Sequence, residues 1–507
     1  MRRGNRRVQL ALLLIVLVGL ALRIAPWLHA RVFLGVQEYD DGVYYGAAAA
    51  LLHGLLPYRD FTIVHPPGSA LLLLPFAAVG AAFGDPVGLA GARVAVAAVA
   101  VVNIVLVHRL ALQLPTAPGR ARAVPLLAAA VYAVLPNAVA AEHTVLLEPL
   151  VNAFCLTATL LILRPRSTRR TVALAGALCA VALGVKLFAG AYVAALLGWL
   201  LLTRQRRLVL PYLAGLGAAL AVVVGPFVAA APTRFWHNVV VTQLSRPLDS
   251  SVSGLHRLAD LVGLGALPAA LPLVLALVLL ALLRSHRQVR TPLTLWLALT
   301  GLTGLAFMTS ASYFPHYGAF LAPPLALVLA GAFAHAAPRP PLARLQGAAL
   351  VVVLLVLAGS SVHAVAGSTG QPDLRRAARL VPAGSCVFSE NASLALAAGL
   401  FAVPSARCPG WIDGRGVSYD GNTEWPKERN FYFAGFTGDA RWQAALQSQL
   451  AHADVLLLSG APEQLPEWSS ATRAYVVTHF RPVLALPASG RGAAELWRRS
   501  RPGSGQP

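Results

Sequence analysis

Asp40 and Asp41 stand side by side shortly after the first long apolar run of the chain. A carboxylate there can take the proton of an attacking hydroxyl, and two together can hold a divalent cation. The same two residues also read as an ordinary solvated acidic loop. The residues that follow raise the stakes: Tyr44, then Pro57-Tyr58-Arg59-Asp60, then His65-Pro66-Pro67-Gly68. One short stretch thus brings phenols, a guanidinium, a third carboxylate and an imidazole.

Other polar residues interrupt apolar surroundings further on. Glu142, His143 and Glu148 follow the third apolar span, and Glu148-Pro149 has the form of a helix start. A carboxylate there binds a ligand or simply complements the helix dipole. Lys186 is one of only two lysines and sits within an apolar stretch. Its charge is costly at that depth, so it faces a cavity or a partner, or else snorkels to the headgroups. Tyr313-Phe314-Pro315-His316-Tyr317 offers a second phenol–imidazole set, or an interfacial aromatic belt. Arg234, Trp236, His237, Arg246 and Arg257 lie in a long segment, Pro232–Asp260, that reads as a gate, a binding loop or a cationic surface. No Cys or His spacing typical of a metal site occurs, which leaves Asp40 and Asp41 as the candidates for a divalent cation.

The elements that position these residues are membrane spans. The 507-residue chain is 57% hydrophobic and 12% charged, more apolar surface than a soluble domain can hide. Runs long enough to cross about 30 Å of hydrocarbon include Val8–Leu28, Leu89–Val107, Ala123–Ala141, Leu208–Ala231 and Gly347–Ala366. Val8–Leu28 has a signal-peptide-like charge pattern but no small-residue cleavage site, so it is expected to be an uncleaved anchor. The net charge of +21 gathers in short Arg clusters between the spans, at residues 2–7, 109–122, 164–170, 204–207, 284–290 and 339–344. These loops carry no Asp or Glu. That is the positive-inside pattern, and it argues against nucleic acid as a partner.

The clusters also constrain the count. Thr171–Thr203 is 33 residues with basic residues on both sides. One helix of that length would be about 50 Å long and would separate the two clusters. Two short spans turning near Lys186 satisfy the charges. Conversely, two spans within Gly68–Val107 would send Arg109, Arg120 and Arg122 outside. Gly68–Phe83 is therefore expected to lie at the outer face, with Leu89–Val107 crossing. The result is about eleven spans, N-terminus inside and C-terminus outside.

After the membrane region (1–366) and a Gly/Ser/Pro linker (367–372), residues 373–507 have globular composition. Cys386–Ser389 and Asp454–Ser459 read as buried strands, Asp373–Leu380 and Asp439–His452 as amphipathic helices. A small extracytoplasmic α/β domain is expected. Cys386 and Cys408 lie in it, where an oxidising compartment suits a disulfide; Cys155 and Cys179 lie in spans as packing.

The loop after the first span resembles that of the GT-C glycosyltransferases, such as protein O-mannosyltransferases, aminoarabinose transferases and bacterial relatives. The matching residues are Asp40-Asp41, Tyr44, Pro57-Tyr58-Arg59-Asp60 and His65-Pro66-Pro67-Gly68. Asp41 stands where many members have Glu, and His65 where many have Lys, so this position is not a permanent cation. The resemblance implies a GT-C-like, mainly α, polytopic fold. It implies a polyprenyl-phosphate-linked sugar as donor and a glycan, lipid or protein of the cell envelope as acceptor. By the same resemblance Asp40 acts as base and Asp41 supports it, pairing with a cation such as Arg59. Tyr44, Tyr58, Arg59, Asp60, His65, Glu142, His143, Glu148, Lys186, Tyr313, His316 and Tyr317 serve donor or acceptor binding, Lys186 at the donor phosphate. The absence of P-loop and Rossmann glycine fingerprints accords with a donor that is not a nucleotide. A transporter, with ionisable groups at the bilayer midplane, and a non-catalytic envelope assembly or sensor protein are the alternatives.

Overall fold

The computed structural model describes residues 2–500 apart from 29, 118, 247–251, 253, 286–290, 335–339, 367–371, 420–435 and 488–492. Arg287, Arg290 and Arg339, nearly all of the linker and the C-terminal tail lie outside the described residues. The chain forms two compact units. One comprises Met1–Ala25, Ala95–Gly225 and Val252–Ala366; the other comprises Pro26–Val94, Pro226–Ser251 and Gly367–Pro507.

The first unit is helical. Arg6–Leu28, Asp85–Ala111 (shared with the second unit), Arg206–Val223, Pro292–Thr309 and Pro315–Ala334 are long and apolar enough to cross a bilayer. Ala123–Val134 and Pro136–Glu142, bent by 59°, make a sixth if counted as one span. Proline causes the bend, since Pro136 has no N–H for the preceding turn. Arg6–Leu28 leaves Leu10, Leu13, Leu14 and Leu17 more than half exposed, which only a lipid solvent tolerates. Pro315–Ala334 is buried along 94% of its apolar window and is thus an interior helix. The protein is a mainly helical, multi-pass membrane protein.

The stretch around Lys186 breaks as the charge pattern requires. Arg169–Val185 begins at a Thr168 capping box and ends at Lys186, whose backbone is extended. Gly190–Leu202 resumes after a short turn. Glycine lets Arg169–Val185 lie tightly against Val209–Val223. A Cβ on Gly176 would meet the Tyr212 carbonyl at 2.0 Å, and one on Gly215 the Ala173 carbonyl at 1.9 Å. Small residues at helix contacts are how lipid-embedded helices gain packing without a hydrophobic drive.

In the second unit, Tyr39–Leu52 is followed by the turn at Pro57–Phe61 and then by Gly68–Phe83, bounded as the charge parity required. Its sheet has strands β1 (Val387–Phe388), β2 (Val455–Leu458), β3 (Phe480–Leu486) and β4 (Ala494–Arg499) in the order β1-β2-β4-β3. β1 and β2 run parallel; β2–β4 and β4–β3 are antiparallel. All four residues of β2 are buried, because both faces are covered. Val455 and Leu457 pack with Leu374, Leu394 and Leu496, whereas Leu456 and Leu458 pack with Trp442, Leu446 and Trp468. This alternation is the two-residue period of a strand. A disulfide joins Cys386 to Cys408. Cys155 and Cys179 are free and buried.

Candidate active site

Asp40 and Asp41 lie in the first turn of Tyr39–Leu52, where the helix dipole favours negative charge. Glu38 precedes them in extended backbone and its side chain caps the Tyr39 amide. Neighbouring helix residues point in diverging directions, and here they enter different surroundings. Asp41 is fully buried. Its Oδ2 accepts from Arg93 Nη2 at 2.7 Å and its Oδ1 accepts from Ser393 Oγ at 2.6 Å. Ser393 Oγ in turn accepts from the Gly42 amide at 2.9 Å. Gly42 admits this contact because it has no side chain: a Cβ there would meet the Ser393 backbone nitrogen at 2.2 Å. The cation that pairs with Asp41 is therefore Arg93. Arg59, the cation expected from sequence, pairs with Asp60 at 2.8 Å in an exposed turn instead. Adjacency decides the matter, since Arg59 reaches the next residue without crossing to the helix.

Asp40 is only partly buried. Tyr44, one helical turn on, donates to Asp40 Oδ2 at 3.3 Å, and its hydroxyl lies 3.3 Å from His65 Nε2. One proton pattern uses both contacts: His65 Nε2–H donates to Tyr44, and Tyr44 donates to Asp40. His65 is placed by the turn before it. Tyr58 has a positive φ of 68°, is buried, and donates its hydroxyl to the His65 carbonyl at 2.6 Å. Tyr58 packs edge-on against Phe235, with ring centroids 5.1 Å apart. Arg234 Nη1 donates to the Arg59 carbonyl at 3.3 Å, and Gln243 Nε2 to the Val64 carbonyl at 2.9 Å. Residues of the Pro232–Asp260 segment thus brace the loop that carries the motif. Asp60 is held below the usual carboxylate range, chiefly by its hydrogen bond from Arg59.

Sequence reasoning missed Asp413. It is buried and accepts from the Gly416 amide at 2.8 Å. Burial foremost pushes its carboxyl up to about 6; the charge of Asp40 pushes the same way, while the Gly416 amide, Arg246 and Arg415 pull against it. Asp413 therefore lies within the electrostatic reach of Asp40. The only signal in the sequence was Trp411-Ile412-Asp413-Gly414, which resembles any polar turn. Among the described residues no three His, Cys, Asp or Glu side chains converge.

The first unit gathers four more of the expected residues. Glu148 opens the helix Glu148–Ile162, and Lys186 occupies the break after Val185. Lys186 Nζ lies 2.5 Å from Glu148 Oε1 and 5.0 Å from the ring centres of both Phe188 and Tyr317. His316 Nε2 is 3.8 Å from the same Glu148 oxygen. Among the described residues, Glu148 Oε2 is buried without a hydrogen-bond partner. An ammonium with protons to spare, an unpaired carboxylate oxygen and an imidazole make a polar cluster that a phosphate-bearing ligand could complete. Tyr313 packs edge-on against Tyr317, with ring centroids 6.0 Å apart, and is covered by Arg257, 4.9 Å from its ring centre.

Glu142 belongs to a different network. It is ion-paired with Arg23, which sequence reasoning also missed. Tyr132 donates to Glu142 Oε1 at 2.6 Å and Asn103 donates to it at 3.3 Å. Arg23 spends its remaining donors on the Gly19 and Ala133 carbonyls. His143 Nδ1 lies 2.6 Å from the Ala140 carbonyl, as a helix-end side chain does.

Solved structures share this architecture. One is ArnT from Cupriavidus metallidurans bound to undecaprenyl phosphate, 15% identical, with 98% of this chain and 99% of that one covered at a TM-score of 0.61. Another is the archaeal oligosaccharyltransferase AglB from Archaeoglobus fulgidus, in complex with an inhibitory peptide and a dolichol-phosphate. It is 12% identical, with 99% of this chain and 75% of that one covered at a TM-score of 0.57. The fold is that of the GT-C class. In sequence, residues 61–312, just under half of the chain, match glycosyltransferase family 87. No curated protein matches the sequence. The chain is thus a membrane protein that shares this fold and whose residues 61–312 match a glycosyltransferase family.

Proposed function

We propose that the protein transfers a monosaccharide from a polyprenyl-phosphate carrier to an acceptor hydroxyl outside the cytoplasm, with Asp40 as the base. The observation that carries this reading is the division of labour within the acid pair. Asp41 is buried and fully engaged, whereas Asp40 is accessible and oriented by Tyr44 and His65. Asp40 takes the acceptor proton as the acceptor oxygen bonds to the anomeric carbon. The bond from that carbon to the phosphate oxygen breaks, and the carrier phosphate leaves with the electron pair. Tyr44 and His65 hold Asp40 in place; Tyr58, Arg59 and Asp60 shape the turn that holds His65. Lys186, with Glu148, His316 and Tyr317 around it, contacts the donor phosphate. Tyr313 packs against Tyr317 of this cluster, and Glu142 and His143 brace the helical unit. The lipid carriers bound to the ArnT and AglB structures support this donor class.

The proposed setting is a cell membrane crossed by about eleven spans, N-terminus in the cytoplasm. Residues 373–507 then form an extracytoplasmic domain, and a glycan, lipid or protein of the envelope is the acceptor. A C-terminal reporter active only in the cytoplasm should stay silent; activity there refutes the orientation. The function itself is tested by incubating purified protein with a panel of polyprenyl-phosphate sugars and envelope acceptors. Transfer by the wild type and a loss of roughly two orders of magnitude or more in Asp40→Asn, with donor binding intact, are expected. Near wild-type turnover in Asp40→Asn removes Asp40 as base.

A further inference from the structure

The sheet-bearing unit contains a cavity of about 270 Å³ whose wall combines Trp411, Trp442 and Trp468 with Glu390, Arg415 and Glu467. Two of the indoles face each other at a tilt: the Trp411 and Trp442 ring centroids lie 5.4 Å apart. Glu390 Oε1 accepts from the Ser459 amide at 2.8 Å, but Oε2 is buried without a hydrogen-bond partner among the described residues. Buried polar atoms are rarely left so, and a ligand donor is a common remedy. Arg415 is held over the ring of Tyr39 at 4.3 Å and paired to Glu467 at 3.0 Å, so its donors are fixed in place. Tyr39 also lines the cavity and precedes Asp40 in the chain.

The combination selects among ligands. The volume sits at the lower end of small-molecule sites, which run from roughly 300 Å³, so it admits one ring rather than several. Indole faces suit an apolar C–H face, and the carboxylates and guanidinium suit hydroxyls. An acyl chain would leave Glu390 Oε2 unpaired, and a phosphate would meet two carboxylates. A saccharide ring has one apolar face and a rim of hydroxyls, and satisfies both halves of the wall. We propose that this cavity is an acceptor subsite, taking one monosaccharide unit of an acceptor glycan stacked on the tryptophans and hydrogen-bonded to Glu390 and to the Arg415–Glu467 pair. This rests on the glycosyltransferase reading and narrows its acceptor to a glycan. Burial pushes Glu390 up to about 7, so near neutral pH its free oxygen can either accept from or donate to a hydroxyl.

The test is saturation-transfer NMR on the full-length protein in nanodiscs, without donor. The probes are the methyl glycosides of mannose, galactose, glucose and arabinose, and a lysine-containing tripeptide. At least one glycoside should bind. Its affinity should fall roughly tenfold in Glu390→Gln, which keeps the Ser459 contact, and in Trp411→Ala, as loss of one charge-assisted contact or one stacking face implies. Asp40→Asn should bind it as the wild type does. No glycoside binding, binding only of the lysine peptide, or affinity unchanged in both variants overturns the subsite. A protein that binds glycosides through this cavity yet transfers from no donor leaves the subsite standing and sinks the transferase reading, so the two failures are distinct.

Discussion

Glu142 and Glu148 lie in the same helical unit, each about 1% exposed and each paired with a cation, yet their surroundings differ. Around Glu142 both carboxylate oxygens are taken, by Arg23, Tyr132 and Asn103, and Arg23 finishes its own bonding on two carbonyls. Around Glu148 one oxygen meets Lys186 and the other has no hydrogen-bond partner among the described residues. A buried carboxylate with both oxygens paired fixes a structure; one with an orphaned oxygen carries a penalty that a ligand can relieve. The second unit repeats the contrast in neighbouring residues. Asp41 is closed by Arg93 and Ser393, and Asp40 is open. On the proposed function, ion pairing alone does not mark a functional carboxylate, and unfinished bonding does.

The largest effect expected from this contrast is on stability. Arg23→Met leaves Glu142 buried without its cation. Breaking a buried pair from one side costs about 3–5 kcal/mol. The variant should unfold at a markedly lower temperature in detergent, while its folded fraction keeps the wild-type KM for donor. Arg93→Met should behave likewise through Asp41. If Arg23→Met unfolds with the wild type but binds donor poorly, Glu142 is no brace and the distinction between closed and open carboxylates breaks.

The closed carboxylates also show where reading the sequence stopped. Charge parity led to a helix break at Lys186 and a separate helix Gly68–Phe83, and both boundaries are present. β2 was legible as Val-Leu-Leu-Leu, an uninterrupted apolar run. β3 and β4 were not: Pro482 interrupts the one and Glu495, Arg498 and Arg499 crowd the other, so neither carries a clean alternation. Within the candidate site, residues that share one loop could be grouped, as Asp40, Tyr44, Tyr58 and His65 were. Arg23, Arg93, Ser393 and Asp413 meet their partners only through the fold. Arg23 and Arg93 each sit within a single apolar helix, where one Arg has no local partner to betray it. Arg59 lies on the same loop as Asp41, but the helix Asp85–Ala111 supplies the cation that pairs with it.

A smaller effect sharpens the open side of the contrast. Lys186→Met removes the ammonium but keeps the apolar stem. The KM for donor should rise by about 10–100-fold, the range for losing one or two charge-assisted contacts. Turnover at saturating donor and the unfolding temperature should change little. Lys186→Arg should rescue poorly, because a planar fork replaces a compact charge seated between Phe188 and Tyr317. An unchanged donor KM in Lys186→Met would take the Glu148 cluster out of donor binding.

The smallest expected effect concerns Asp413, which stands between the two kinds: one oxygen accepts from the Gly416 amide, and burial and Asp40 together oppose its charge. An ordinary aspartate titrates near 4, and this one is pushed up to about 6. The fold therefore favours the protonated form. That contribution to stability is fully present below about pH 4 and is lost as pH rises through about 6. At neutral pH the wild type therefore holds a buried carboxylate at a free-energy cost. Asp413→Asn keeps an oxygen for the Gly416 amide and cannot ionise. Relative to wild type, the variant should gain little or nothing at pH 4. Its advantage should grow between about pH 4 and 6 and level off near pH 7. Unfolding midpoints of both proteins in detergent at pH 4, 5, 6 and 7 read this directly. A gap that stays constant across the series means that Asp413 titrates as an exposed aspartate does. Repeating the series in an Asp40→Asn background isolates the share due to Asp40: the pH-dependent gap should narrow, because the neighbouring negative charge is gone. A gap of unchanged width would mean that burial alone raises Asp413 and that the two carboxylates do not sense each other.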